Sequence, residues 1–366
     1  MRFELAGSPC PRMSLIQVPH SVRGIDVAFK KHKVSTTTDD NRSVTVSIGD
    51  RQCVRYNVDE GSIVHSWFAP SHMKITAAVV KLSDNKFAAV VNGNLLLAWD
   101  GKESKLEKVD GGLKLGEKVA SIVKSPEDTY VVYEGGTVQT VDYVQRENGK
   151  RDSEVVPIIP ETFEIGKSWV RNVSGRWLVT HHCKPKKKSD EGEALVTGRL
   201  ALDPETGETT VVGVRQVRLD KDAVAVEVSL TEDYAFIAVK SGAVKRQGTY
   251  DKESVDEVVT ISGLTHMCVI DGDYLGAAAG TKVHLINAKY GCIVADRDVE
   301  IDCNGFLSAC GSRLFFRQLG GTLASASVST VELPRTLASM IGDTSARGPK
   351  SARARRVRPP DPKEIK

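Results

Sequence analysis

Nowhere in this 366-residue chain is there a run of about 18 uncharged apolar residues, so the sequence offers no candidate membrane-spanning helix. A secretory leader is equally poorly supported: in MRFELAGSPCPRM, Glu4 and two prolines break up the apolar core that such a signal needs. The seven cysteines (10, 53, 183, 268, 292, 303 and 310) are odd in number and form no C-x-x-C pair. A disulfide framework is therefore not expected; reduced thiols in an intracellular protein are. Helical periodicity is also scarce, appearing only at PRTLASMIG near the end.

The usual marks of chemistry are missing too. No G-x-S-x-G elbow occurs, and the eight histidines are scattered. Gly166-Lys167-Ser168 ends like a phosphate cradle, but residue 161, where the first glycine belongs, is glutamate. GGLKLGEKV, from Gly111, has the glycine spacing and puts Glu117 in place of the lysine. THHC offers His181, His182 and Cys183, of which only His181 and Cys183 share a strand face, two ligands short of a closed zinc site. On these readings no catalytic, cofactor-binding or metal residues are expected, and no membrane or small-molecule partner is expected.

What is present is a repeat. The stretch VVNGNLLLAWDGKE, residues 90 to 103, reads as a β-hairpin pinched at Asn92-Gly93-Asn94. Similar apolar, β-rich runs begin at Ser43, Lys86, Thr129, Arg176, Asp233, Asp273 and Ser312, separated by 43, 43, 47, 57, 40 and 39 residues. That spacing is the period of a four-stranded propeller blade. Turn formers such as Ser125-Pro126-Glu127-Asp128 precede each run, and a second strand answers it, as in NLLLAWD, GTVQTVDYV, ALVTGRLALD and TKVHLINA. Blade strands are sandwiched between neighbours, which explains near-continuous apolar runs in place of strict alternation.

The expected fold is thus all-β: a seven-bladed, WD40-like β-propeller of degenerate repeats. It spans residues 1–343, with blades near 43–70, 75–117, 118–160, 161–218, 223–262, 263–302 and 303–343. An N-terminal strand from MRFELAG or SLIQV closes the ring. Trp99-Asp100 is the single Trp-Asp dipeptide within these units, so it reads as a packing aromatic followed by a turn aspartate.

Charge is unevenly spread. From Thr344 onward eight cationic residues face two acidic ones, a net +6, which leaves −3 on the body of a chain whose total is +3. Residues 344–366 read as a disordered basic tail, and the polar insertion KPKKKSDEGE, 184 to 193, as a disordered hairpin loop. Lys184, Lys186, Lys187 and Lys188, with Arg353, Arg355, Arg356 and Arg358, are the candidate contacts for RNA phosphates or an import receptor.

Three phrases carry a family resemblance: His65-Ser66-Trp67, Leu96 to Trp99, and Tyr133 to Val138 within YVVYEGGTVQTVDYV. Their order resembles the N-terminal propeller of the nucleolar protein 11 family, and ELPRTLASMIG, residues 332 to 342, is similar to the segment that closes it. The resemblance implies a non-enzymatic scaffold of the nucleolar small-subunit processome, linking ribosomal DNA transcription to early pre-rRNA processing. Its partners would be other processome subunits, both propeller and helical proteins, and pre-rRNA through the basic loop and tail. The family continues into a long helical region, whereas this chain ends about 24 residues beyond that closing segment. Two other uses fit the pattern of residues: a cytoplasmic adaptor in trafficking or ubiquitin pathways, and an enzyme with a site in the central channel.

Overall fold

The computed structural model describes residues 14–17, 34–40, 42–317 and 323–327, less short stretches at 59, 61, 84, 107–108, 110, 151–155, 187–191, 252–254, 272–273, 300–306 and 311–312. Strand β1 (Ser14–Gln17) comes first, followed by a sheet of β2 (Val34–Asp40), β3 (Ser43–Ile48), β4 (Gln52–Asn57) and β5 (Ser62–Phe68). The second sheet comprises β6 (Ile75–Lys81), β7 (Lys86–Val91), β8 (Leu95–Asp100) and β9 (Leu113–Lys114). The third has β10 (Val119–Lys124), β11 (Thr129–Tyr133) and β12 (Val138–Thr140), which leads into helix α1 (Val141–Arg146). The fourth comprises β13 (Phe163–Val173), β14 (Arg176–Pro185), β15 (Ala194–Leu202) and β16 (Thr209–Arg218). The fifth holds β17 (Ala223–Val228), β18 (Tyr234–Val239), β19 (Ala243–Gly248) and β20 (Val255–Thr260). The sixth holds β21 (Leu264–Asp271), β22 (Tyr274–Ala279), β23 (Lys282–Asn287) and β24 (Cys292–Asp298). The last is β25 (Leu307–Cys310), β26 (Arg313–Arg317) and β27 (Leu323–Ser327), completed by β1.

All strand pairs within the sheets are antiparallel, and all but β1–β27 join strands consecutive in the chain. The first strands of neighbouring sheets touch, β2 with β6, β6 with β10, β10 with β13, β17 with β21 and β21 with β25, and β25 returns to β2. This is an all-β propeller. Its core consists of separate apolar layers between adjacent sheets. On β18, Phe236 and Ala238 pack toward the sixth sheet while Ala235, Ile237 and Val239 pack toward the fourth. On β11, Val131 and Tyr133 face the second sheet, and Tyr130 and Val132 face the fourth. On β26, Phe315 packs against Val44, Val46 and Tyr56 of the first sheet, so the last sheet is joined to the first. A period of two with both faces buried produces the unbroken apolar runs seen in the sequence.

The hairpin at residues 90 to 103 is the β7–β8 pair, with Val91 opposite Leu95. Asn92 and Gly93 take positive φ values of 52° and 85°, the left-handed conformation that asparagine and glycine tolerate best.

Several expectations need correction. The first sheet begins at Val34, one strand ahead of residue 43. VSTTTDD is too polar to register as an apolar run, yet it pairs along β3. GTVQTVDYV is not one strand: the Thr140 hydroxyl accepts a hydrogen bond from Tyr143 N–H at 3.2 Å, and the chain turns into α1. The third sheet therefore has three strands, and Val141, Tyr143 and Val144 of α1 supply packing in place of a fourth. The pairing of Ser14 with Ser327 and Gln17 with Ala324 places the closing strand within SLIQV. The basic tail, 344–366, and ELPRTLASMIG lie outside the described residues.

Candidate functional site

Two of the eight basic candidates, Lys184 and Lys186, are described. Lys187, Lys188, Arg353, Arg355, Arg356 and Arg358 lie outside the described residues. Lys184 sits near the end of β14, opposite Glu164 across the β13–β14 ladder. Its ammonium stands 3.7 Å from Glu193 Oε1, and the other oxygen of that carboxylate lies 2.6 Å from His182 Nε2. His182 and Glu193 thus bridge the base of the lysine hairpin. Burial depresses the His182 pKa, partly opposed by the adjacent carboxylate. Lys186 is exposed, and its backbone N–H donates to Thr162 O at 2.9 Å, fixing where the loop departs. An exposed pair such as Lys184–Glu193 is worth at most about 1 kcal/mol, so this lysine can exchange its carboxylate for another anion at little cost.

The THHC residues have structural work. His181 is fully buried, with Nε2 2.9 Å from Gly136 O and Nδ1 2.9 Å from Ser168 Oγ. A carbonyl can only accept, so Nε2 carries the proton and Nδ1 accepts from the Ser168 hydroxyl. Burial pushes the His181 pKa down to about 4, so the ring is neutral at physiological pH. The serine–histidine distance matches that of a nucleophile and its base, but this ring spends its other nitrogen on holding a hairpin of the neighbouring sheet. Cys183 is buried as well, and its thiol is pushed up to about 12 by that burial, away from the thiolate a metal would need. Lys167, from the Gly-Lys-Ser triplet, lies in β13, paired with Glu227 at 2.5 Å and 5.1 Å from the Trp169 ring centre.

All three family phrases lie at sheet-to-sheet contacts. Trp67 of β5 is fully buried against Phe87 and Trp99 of the second sheet, with ring centres 4.8 and 5.7 Å away. His65 stacks on Trp67 at 5.4 Å and meets Phe87 edge-on at 5.2 Å. Trp99 therefore packs between sheets, while Asp100 Oδ1 accepts from Lys102 N–H in the turn that follows. In the third phrase, Gly136 has φ +85° and approaches so closely that an added Cβ would lie 2.7 Å from Ile158 and Ile159. Only glycine fits there, and its carbonyl is the one His181 holds.

Sequence reading missed a second inter-sheet fastening. Arg171, 1% exposed, reaches from β13 to the fifth sheet, donating to Ser229 O at 3.2 Å, to Glu232 O and to Thr249 Oγ1 at 2.6 Å. The Thr249 hydroxyl in turn donates to Asp233 Oδ1, which lies 3.8 Å from the guanidinium. Asp233 also accepts from the backbone N–H groups of Tyr250 and Asp251 at 3.0 and 2.6 Å. Burial lowers the Arg171 pKa to about 10, partly offset by Asp233, and the group stays cationic. An arginine inside the apolar strand SWVRNV was the available signal; its partners lie too far along the chain for spacing to reveal them.

No curated protein matches this sequence. Among solved structures, BBS1N, crystallised in complex with ARL6DN, is similar with a TM-score of 0.54 and 12% identity, covering 82% of this chain and 92% of that one. The β-propeller domain of Myceliophteria thermophila Cps50 (Swd1) is similar with a TM-score of 0.53 and 10% identity, covering 87% and 100%. At such identities these likenesses show the propeller fold alone. Residues 22–171 match the nucleolar protein 11 N-terminal domain, a span that contains every residue of the Trp67, Trp99 and Gly136 phrases. The likeness to the nucleolar protein 11 N-terminal domain family covers residues 22–171 of the 366.

Proposed function

We propose that this protein is a non-catalytic, seven-bladed scaffold of ribosome biogenesis. In this reading it acts in the nucleolus within the small-subunit processome, where pre-rRNA is transcribed and first processed. The match to the nucleolar protein 11 N-terminal domain carries the proposal. The identified histidines and the buried arginine support it, because His181, His182 and Arg171 are all committed to fastening strands or sheets. Its partners are other propeller and helical processome subunits, which dock on the faces and rim of the ring. The lysine hairpin and the tail arginines bind pre-rRNA phosphates or an import receptor, contacts that weaken as salt rises.

Affinity purification of the tagged full-length chain, with identification of the bound proteins and RNA, tests this reading. Processome subunits together with pre-rRNA are the expected recovery. A set of cytoplasmic trafficking or ubiquitin-pathway proteins in their place would overturn it.

A further inference from the structure

Glu193, the residue just ahead of β15, serves two partners at once. Its backbone carbonyl accepts from Leu219 N–H at 2.8 Å, which fixes its position beyond the end of β16. One carboxylate oxygen lies 2.6 Å from His182 Nε2, and the other lies 3.7 Å from the Lys184 ammonium. An ionised carboxylate only accepts, so His182 Nε2 carries the proton and Nδ1 is where a second proton would add. The buried histidine therefore anchors the carboxylate, while the half-exposed lysine makes the looser contact. The stem of Lys184 crosses the bare backbone of Gly166, where an added Cβ would lie 3.2 Å from Lys184 Cε. The charged groups that face His182 are Glu193, Lys184 and Lys167, the last held by Glu227 of the fifth sheet at 2.5 Å. Glu164 stands across the ladder from Lys184.

We propose that Glu193 is a built-in rival of RNA for Lys184: in the free protein its carboxylate takes the place of a phosphodiester, and a bound phosphodiester displaces it from the lysine. The displaced carboxylate keeps its bond to His182, so no buried group loses its partner. One exposed ion pair is exchanged for another, but the phosphate brings a second negative charge close to Glu193. A proton on His182 Nδ1 offsets that charge. Burial, Lys184 and Lys167 work against that proton in the free protein, opposed by Glu193. RNA therefore binds more tightly as pH falls through the histidine's titration, and by linkage bound RNA makes the ring easier to protonate. A phosphodiester fits better than an acidic peptide because β14 exposes no large apolar side chain for a peptide to cover, whereas phosphates need only charge. The proposal rests on the reading that the lysine hairpin meets RNA, and it adds what regulates that contact.

The test uses the purified full chain and a labelled ten-nucleotide oligouridylate, read by fluorescence anisotropy at about 50 mM salt. Glu193→Gln keeps an acceptor for His182 and removes the competing charge, so it should tighten binding by roughly threefold to tenfold. That gain should vanish in Lys184→Gln/Glu193→Gln. Glu205→Gln, the same charge change in the exposed turn between β15 and β16, should leave affinity at the parent value. Lowering the pH from about 7.5 to about 5.5 should tighten binding to the parent more than to His182→Gln, whose amide can still donate to Glu193. Melting curves establish that each variant is folded. Equal gains from Glu193→Gln and Glu205→Gln, a gain that survives the loss of Lys184, parallel pH slopes for the parent and His182→Gln, or tighter binding of a ten-residue polyglutamate than of RNA would each overturn the proposal while RNA binding itself stands. Absence of RNA binding to the parent and to Glu193→Gln alike would overturn the lysine–RNA reading and the proposal together.

Discussion

Replacing Trp67 with alanine separates packing from recognition at the family's first phrase. The indole is fully buried among Phe87, Trp99 and His65, across the contact between the first two sheets. Truncating a buried tryptophan leaves a cavity that surrounding strands fill only in part, at a cost of about 3–5 kcal/mol. At roughly 0.7 kcal/mol per degree for a chain of this size, melting should fall by about 4–7 °C. Trp67→Phe should cost about 1–2 kcal/mol, because Trp67 Nε1 meets no acceptor among the described residues and its removal forfeits no hydrogen bond. A double-mutant cycle of Trp67→Leu with Trp99→Leu should show a coupling of about 0.5–1.5 kcal/mol, the worth of an edge-on aromatic pair. Denaturant and thermal unfolding, followed by circular dichroism, provide the assay. A Trp67→Ala protein with unchanged stability that lost its partners would refute the packing assignment and make this tryptophan a contact residue.

Two further outcomes follow from the buried polar groups. His181 has a folded-state pKa of about 4, below its ordinary 6.5. Above 6.5 the ring is neutral in both states; as pH falls from 6.5 to 4 the unfolded chain takes up a proton that the folded one refuses. Stability should drop through that window by roughly 3 kcal/mol relative to His181→Gln, and equal pH slopes in urea unfolding would contradict this. Arg171→Ala leaves Asp233 in the interface without its cation and should cost about 3–5 kcal/mol. Arg171→Met/Asp233→Asn should recover more than half of that, and a double variant no more stable than the single would contradict the pairing.

The layered core was legible because the signal was local and repeated. Runs such as YAFIAV and TYVVY must be buried on both faces, and turn formers recur between them at blade spacing. Residues 141–146 were misread because VDYVQR suits a strand by composition. The helix is decided by the Thr140 cap and by where Val141, Tyr143 and Val144 can be buried. β2 escaped notice because threonines and aspartates gain their strand only through the partner β3. At the candidate site, the lysine cluster stood out through composition alone. The His181 and Arg171 fastenings did not, since Gly136 lies 45 residues from its histidine and Ser229 58 from its arginine. Such contacts exist only once the sheets are side by side.

The most direct measurement is purification of the tagged wild-type chain beside a form with Lys184, Lys186, Lys187, Lys188, Arg353, Arg355, Arg356 and Arg358 neutralised. Processome subunits and pre-rRNA should accompany the wild type. The neutralised form should lose RNA, through the cluster itself or through failed import, while its melting temperature stays unchanged. Recovery of neither subunits nor pre-rRNA with the wild type would contradict the assignment of this propeller to ribosome biogenesis.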